Sequence, residues 1–73
     1  MDISVLCTDP HHPVVNYLKR WNSEMSLKGH SIRLDHRKSE LKGGDVLFLV
    51  SCGELIEISV RQKYKATLVL HAS

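Results

Sequence analysis

Apolar and polar positions divide the chain into six short stretches. Ile3-Ser4-Val5-Leu6-Cys7 is an apolar run that stops at Thr8-Asp9-Pro10, which predicts a strand over 2–7. After Pro13, Val14, Leu18, Trp21 and Met25 recur at spacings of 4, 3 and 4, with Tyr17 beside them. Asn16, Lys19, Arg20, Asn22, Ser23 and Glu24 occupy the other side, so the spacing predicts an amphipathic helix over 13–27. Pro13 suits its first turn, His12 or Asp9 its cap, and Gly29 its C-terminal end. Ser31-Ile32-Arg33-Leu34-Asp35 alternates, as a half-exposed edge strand does. Asp45 to Ser51 is apolar without alternation, the pattern of a strand covered on both faces. Ile56, Val60 and Tyr64 then fall at helical spacing and predict a second helix over 55–64, against the β-branched content of that stretch. Ala66 to Leu70 reads as a last strand, over 66–71.

The order strand, helix, strand, strand, helix, strand predicts an α/β fold with a mostly parallel sheet. Only Arg37 to Gly44 separate the second and third strands, where a parallel crossover usually takes a dozen or more residues. Eight extended residues nevertheless reach about 26 Å. The return along one strand and across two spacings needs only about 20 Å. The crossover therefore closes without a full helix, with one turn at Ser39-Glu40-Leu41. Placing the apolar first and third strands in the centre gives the order 2-1-3-4, a Rossmann-like three-layer sandwich. That order creates a switch point at the carboxyl ends of the central strands, where open sheets bind ligands. Thr8–His12 and Ser51–Glu54 lie there.

Composition narrows the class. Seventy-three residues make one small globular unit near the lower limit of autonomous folding. A formal charge of +2, with no basic run longer than His36-Arg37-Lys38, is too weak a field for a nucleic-acid or anionic-membrane partner. The longest apolar run, Val46 to Val50, is far short of the roughly 20 residues of a membrane span. Asp2 stands where a signal peptide would be basic. Two cysteines 45 positions apart form no CxxC pair, so a reduced, cytoplasmic chain is expected.

Candidate chemistry clusters at the switch point. Thr8-Asp9-Pro10-His11-His12 is either an ordinary capped turn or an anion site at a helix start. Adjacent His11 and His12 point apart and have no third ligand at useful spacing, so no metal is expected. Cys52 is either a nucleophile near a helix N-terminus or a small buried thiol without a base. Glu54 suits a first helical turn. Gly43-Gly44 belongs to no nucleotide-binding fingerprint, and His30 and His36 read as surface residues. His71 ends an apolar strand at the carboxyl side, either as a general base or as a tail histidine.

Three segments resemble the N-terminal part of the folate-dependent formyltransferases. They are Cys7-Thr8-Asp9-Pro10-His11-His12-Pro13-Val14, Gly44 through Ile56, and Leu68-Val69-Leu70-His71-Ala72-Ser73. The resemblance covers nearly the whole chain but about the first third of a family member, and is closer to the sugar-type or uncharacterised bacterial branch than to the methionyl-tRNA enzyme. It implies that residues 1–73 are the N-terminal part of one catalytic domain, whose remainder is the chain's partner. The implied activity is formyl transfer from 10-formyltetrahydrofolate to an amine, on an amino sugar carried by a nucleotide.

In the family's N-x-H-x-S pattern, His71 and Ser73 match, while Val69 stands in place of Asn. The family's catalytic Asp would fall beyond Ser73, so these 73 residues alone are expected to be inactive. The resemblance makes His71 the catalytic residue. It places Ser51, Cys52, Gly53, Glu54, Leu55 and Ile56 along the folate's pterin, largely through backbone groups, and Thr8, Asp9, Pro10, His11 and His12 at the acceptor. The small-molecule substrate is then the amine, and a homodimer is compatible with this reading. The competing reading is a non-catalytic Rossmann-like fragment that binds a small anionic ligand at Thr8–Pro13.

Overall fold

The computed structural model describes residues 1–70. Four strands, β1 (Asp2–Leu6), β2 (Ser31–Asp35), β3 (Gly44–Val50) and β4 (Tyr64–Leu70), form one sheet in the order β2-β1-β3-β4. Every pairing is parallel: Val5 lies opposite Leu34 on one side and Phe48 on the other, and Phe48 lies opposite Leu68. The central strands β1 and β3 are largely buried, as a strand covered on both faces must be.

Helix α1 (Val14–Leu27) covers one face. Val14, Leu18 and Trp21 pack there with Ile32, Leu34, Val46 and Phe48 around buried Ile3, Val5 and Val50. Trp21 and Phe48 meet edge to face with ring centroids 6.0 Å apart. Such a pair adds about 0.5–1.5 kcal/mol beyond its burial. Gly29, at φ +88°, ends the helix: its N–H donates to Ser26 O and that of His30 to Met25 O, a Schellman closure.

The opposite face buries Leu6, Leu41, Leu47, Leu49, Ile56 and Tyr64, with Cys52 and Val60 against them. A 3₁₀ turn at Lys38–Glu40 carries the chain from β2 to β3, within a residue of the turn expected at Ser39–Leu41. The expected second helix is shorter than its spacing suggested. Only Ile58–Arg61, α2, is helical; Ile56 precedes it and Tyr64 opens β4 opposite Gly44. All three spaced side chains do face the core, but the β-branched run supports a single turn, and the β3–β4 ladder claims Tyr64.

The last strand also differs from its apolar pattern. Leu68, Val69 and Leu70 are each about half exposed (49%, 52% and 50%), because β4 is a sheet edge. Among the described residues no helix is long and apolar enough to cross a membrane.

Candidate functional site

The carboxyl ends of β1 and β3 carry two loops, one at 8–13 and one at 51–57. In the first, Cys7 is fully buried and its N–H donates to Asp35 O at 3.0 Å, which prolongs the β1–β2 pairing by one bond. The chain then turns on Asp9, whose Oδ1 accepts the His11 N–H at 3.0 Å. His12 closes the start of α1: its Nδ1 accepts the Val14 N–H at 3.1 Å and its carbonyl accepts that of Val15 at 3.0 Å. Pro13 has no N–H to offer. The first donors of the helix are thereby spent within the chain, and His11 is exposed.

The second loop leaves β3 through Ser51, which takes φ +50°, an uncommon angle for a non-glycine residue. Cys52 Sγ donates to Glu54 O at 3.4 Å, a thiol held on a carbonyl rather than beside a base. The Gly53 N–H donates to Thr8 Oγ1 at 2.8 Å, and this bond joins the two loops. Leu55 is exposed and Ile56 is buried in the core.

Lys38 braces the second loop. Its backbone N–H donates to Glu54 Oε1 at 3.0 Å, and its Nζ to Leu55 O at 3.1 Å and Glu57 Oε1 at 2.8 Å. The bond to Glu57 holds the ammonium above the usual lysine range and the Glu57 carboxyl below the usual glutamate range.

Two cavities flank this junction. One, of about 190 Å³, is a mainly apolar groove lined by Leu49, Cys52, Leu55, Ile56, Val69 and Leu70, with Glu54 and Arg61 as its charged lining. The other, of about 480 Å³, is an open cleft lined by Thr8, Pro10, His36, Arg37 and Glu54. Glu54 belongs to both.

His36 and Arg37 are the residues that sequence reasoning missed. His36, expected at the surface, is half-buried, and its Nδ1 lies 2.9 Å from Cys7 O. A carbonyl only accepts, so Nδ1 carries the proton and Nε2 is left for a ligand. Glu40 Oε1 accepts the backbone N–H of His36 at 3.1 Å and of Arg37 at 2.9 Å, which fixes the segment and holds the Glu40 carboxyl below its usual range. Their signal was positional: both follow β2 directly at the carboxyl end of the sheet.

His30, also expected at the surface, is half-buried with its Nδ1 enclosed. Asp35 is buried, with Oδ1 3.3 Å from the Arg33 guanidinium and no partner for Oδ2 among the described residues. The structure thus brings Thr8 and Pro10 together with Glu54, and leaves Asp9 holding the turn and His12 at the start of α1. His71 lies outside the described residues.

Among the described residues no group of three His, Cys, Asp or Glu side chains could hold a metal ion. Comparisons with protein-family models, curated proteins and solved structures give no match.

Proposed function

We propose that this chain supplies the donor and acceptor loops of a site for formyl transfer from 10-formyltetrahydrofolate to an amine. The observation that carries this reading is the shared wall at Glu54, with the Gly53–Thr8 bond beneath it. An apolar groove and a polar cleft meet there, at the switch point between the two central strands. The groove suits a flat pterin ring, with the loop of residues 51–56 beside it.

In the transfer itself, the amine nitrogen bonds to the formyl carbon and a tetrahedral oxyanion forms. The bond from that carbon to N10 of the folate then breaks, and the proton lost by the amine passes to N10. His71 is the residue assigned to carry that proton. Val69 offers no side-chain donor to the oxyanion, so that stabilisation comes from elsewhere in the site. A cytoplasmic location goes with this chemistry.

The test is titration of the ¹⁵N-labelled 73-residue chain with 5-formyltetrahydrofolate, a stable relative of the donor. Saturable amide shifts concentrated on residues 51–56, without turnover of 10-formyltetrahydrofolate by the chain alone, are expected. Absence of folate-dependent shifts in that loop would overturn the reading.

A further inference from the structure

We infer that a cavity between α1 and the sheet is a binding site for a small uncharged aromatic ring. It lies on the face opposite the groove beside Cys52 and Ile56, so it stands apart from the formyl-transfer reading.

The cavity has a volume of about 150 Å³ and is lined by Val5, Leu18, Trp21, Phe48, Val50 and Leu70. Its origin is in the architecture. One helix serves this face of a four-stranded sheet, and α1 packs chiefly against β2 at one border. The space over β3 and β4 is therefore only partly filled, and Trp21 reaches across to Phe48 at its margin. Val5 and Val50 are buried, at 2% and 4% exposure, so the cavity extends into the core. Leu70, half exposed on the edge strand, marks its mouth.

The lining decides what can enter. No polar atom contributes to the wall. A water molecule needs two to four polar partners to be held in such a place, and a dry cavity of this size is known to take up benzene-sized molecules. Trp21 and Phe48 both line it and already meet edge to face, so a third ring packs against them in the same edge-on or offset manner. That geometry favours an aromatic ring over a branched alkyl group. A charge, or a polar group at each end of the ring, would be buried without a partner. The ligand therefore carries any polar substituent on the side that faces the mouth.

The experiment is a ¹³C-methyl NMR titration of the 73-residue chain with benzene, repeated with hydroquinone, the same ring carrying a hydroxyl at each end. Benzene is expected to give saturable shifts on the Val5, Leu18 and Val50 methyls, with a Kd of about 1 mM or tighter. Leu70 also lines the groove on the other face, so its shift alone does not locate the probe. Leu27 and Ile58, exposed and outside the lining, should not move. Hydroquinone should bind at least about tenfold more weakly, because one of its hydroxyls is stranded. Leu18→Trp fills the cavity from the helix and Leu70→Trp from the edge strand. Either variant, once its amide spectrum shows it folded, should lose benzene binding.

The wild-type pair of titrations decides even if both variants unfold. No saturable shift at Val5, Leu18 and Val50, equal shifts at Leu27 and Ile58, or equal affinity for the two probes overturns the site. So does a folded Leu18→Trp or Leu70→Trp variant that binds benzene as wild type does. Movement of the Val5 and Leu18 methyls on simple dilution, without benzene, would show that a second copy fills the cavity instead.

Discussion

The Tyr64 hydroxyl donates to Ser4 Oγ at 2.9 Å, which ties the first residue of β4 to the middle of β1 beneath the sheet. Both groups are buried, at 7% and 3% exposure, and β3 lies between their strands. The bond therefore fixes where β4 begins. Tyr64→Phe is expected to strand Ser4 Oγ in the core and cost about 1–2 kcal/mol. Adding Ser4→Ala should recover much of that loss, because neither polar group then remains unpaired. Urea unfolding of the two single variants and the double variant measures the coupling.

Glu40 makes the acid limb of the stability curve readable. Its carboxyl is held below the ordinary range, first by the His36 N–H and then by that of Arg37. A group whose folded pKa is depressed stabilises fully above its unfolded pKa and loses that contribution as pH falls through the folded value. The contribution of Glu40 is thus present above about pH 5 and fades below about pH 4. Asp45 behaves in the same sense, held down by the Asp2 N–H and by Lys65. Wild type should exceed Glu40→Gln in urea midpoint at pH 7, and the gap should close towards pH 3.

Gly43 stands at φ +95°, and a Cβ there would lie 2.9 Å from Lys63 O. That carbonyl is near because it accepts the Gly44 N–H at 3.1 Å, at the start of the β3–β4 ladder. Gly43→Ala should cost at least about 1–2 kcal/mol from the left-handed backbone alone. Gly29 has an equally positive φ of +88° but open space around it, so Gly29→Ala carries strain without the clash. Comparison of the two unfolding midpoints isolates the contact with Lys63.

Cys52→Ala separates the nucleophile reading from the binding reading. Its thiol touches the Glu54 carbonyl and packs at the core margin, so 5-formyltetrahydrofolate affinity should change by less than about threefold, a fraction of a kcal/mol. In a protein that turns over with this segment, His71→Ala should lower the rate by roughly 10²–10⁴-fold with folate affinity kept. The opposite pattern would make Cys52 the reacting group.

Much of the architecture was legible because burial on two faces leaves a plain mark. Val46 to Val50 and Ile3 to Cys7 read as central strands, and their order is compatible with the short Arg37–Gly44 crossover, although the equally apolar Ala66–Leu70 forms an edge. Tyr64 was misplaced because a core-facing residue at helical spacing can equally be the first residue of a strand, and only its pairing with Gly44 tells the two apart. The site was half legible. Thr8 and Glu54 could be placed from their strand ends, whereas His36 and Arg37 sit in a charged run that resembles any solvated turn. Their role depends on contacts with Cys7 O and Glu40 that no local pattern announces.

The two borders of the sheet are unlike. β2 presents Arg33 to solvent, while β4 from Ala66 to Leu70 has no ionisable side chain, and Lys65 before it is drawn to Asp45. A border without charge is a template for another strand, since nothing repels a second backbone from its open N–H and C=O groups. Self-association of this chain is expected to use that border. Its thermal midpoint should climb with protein concentration, and a Val69→Lys variant, which sets a charge in the middle of that template, should melt at one temperature whatever the dilution.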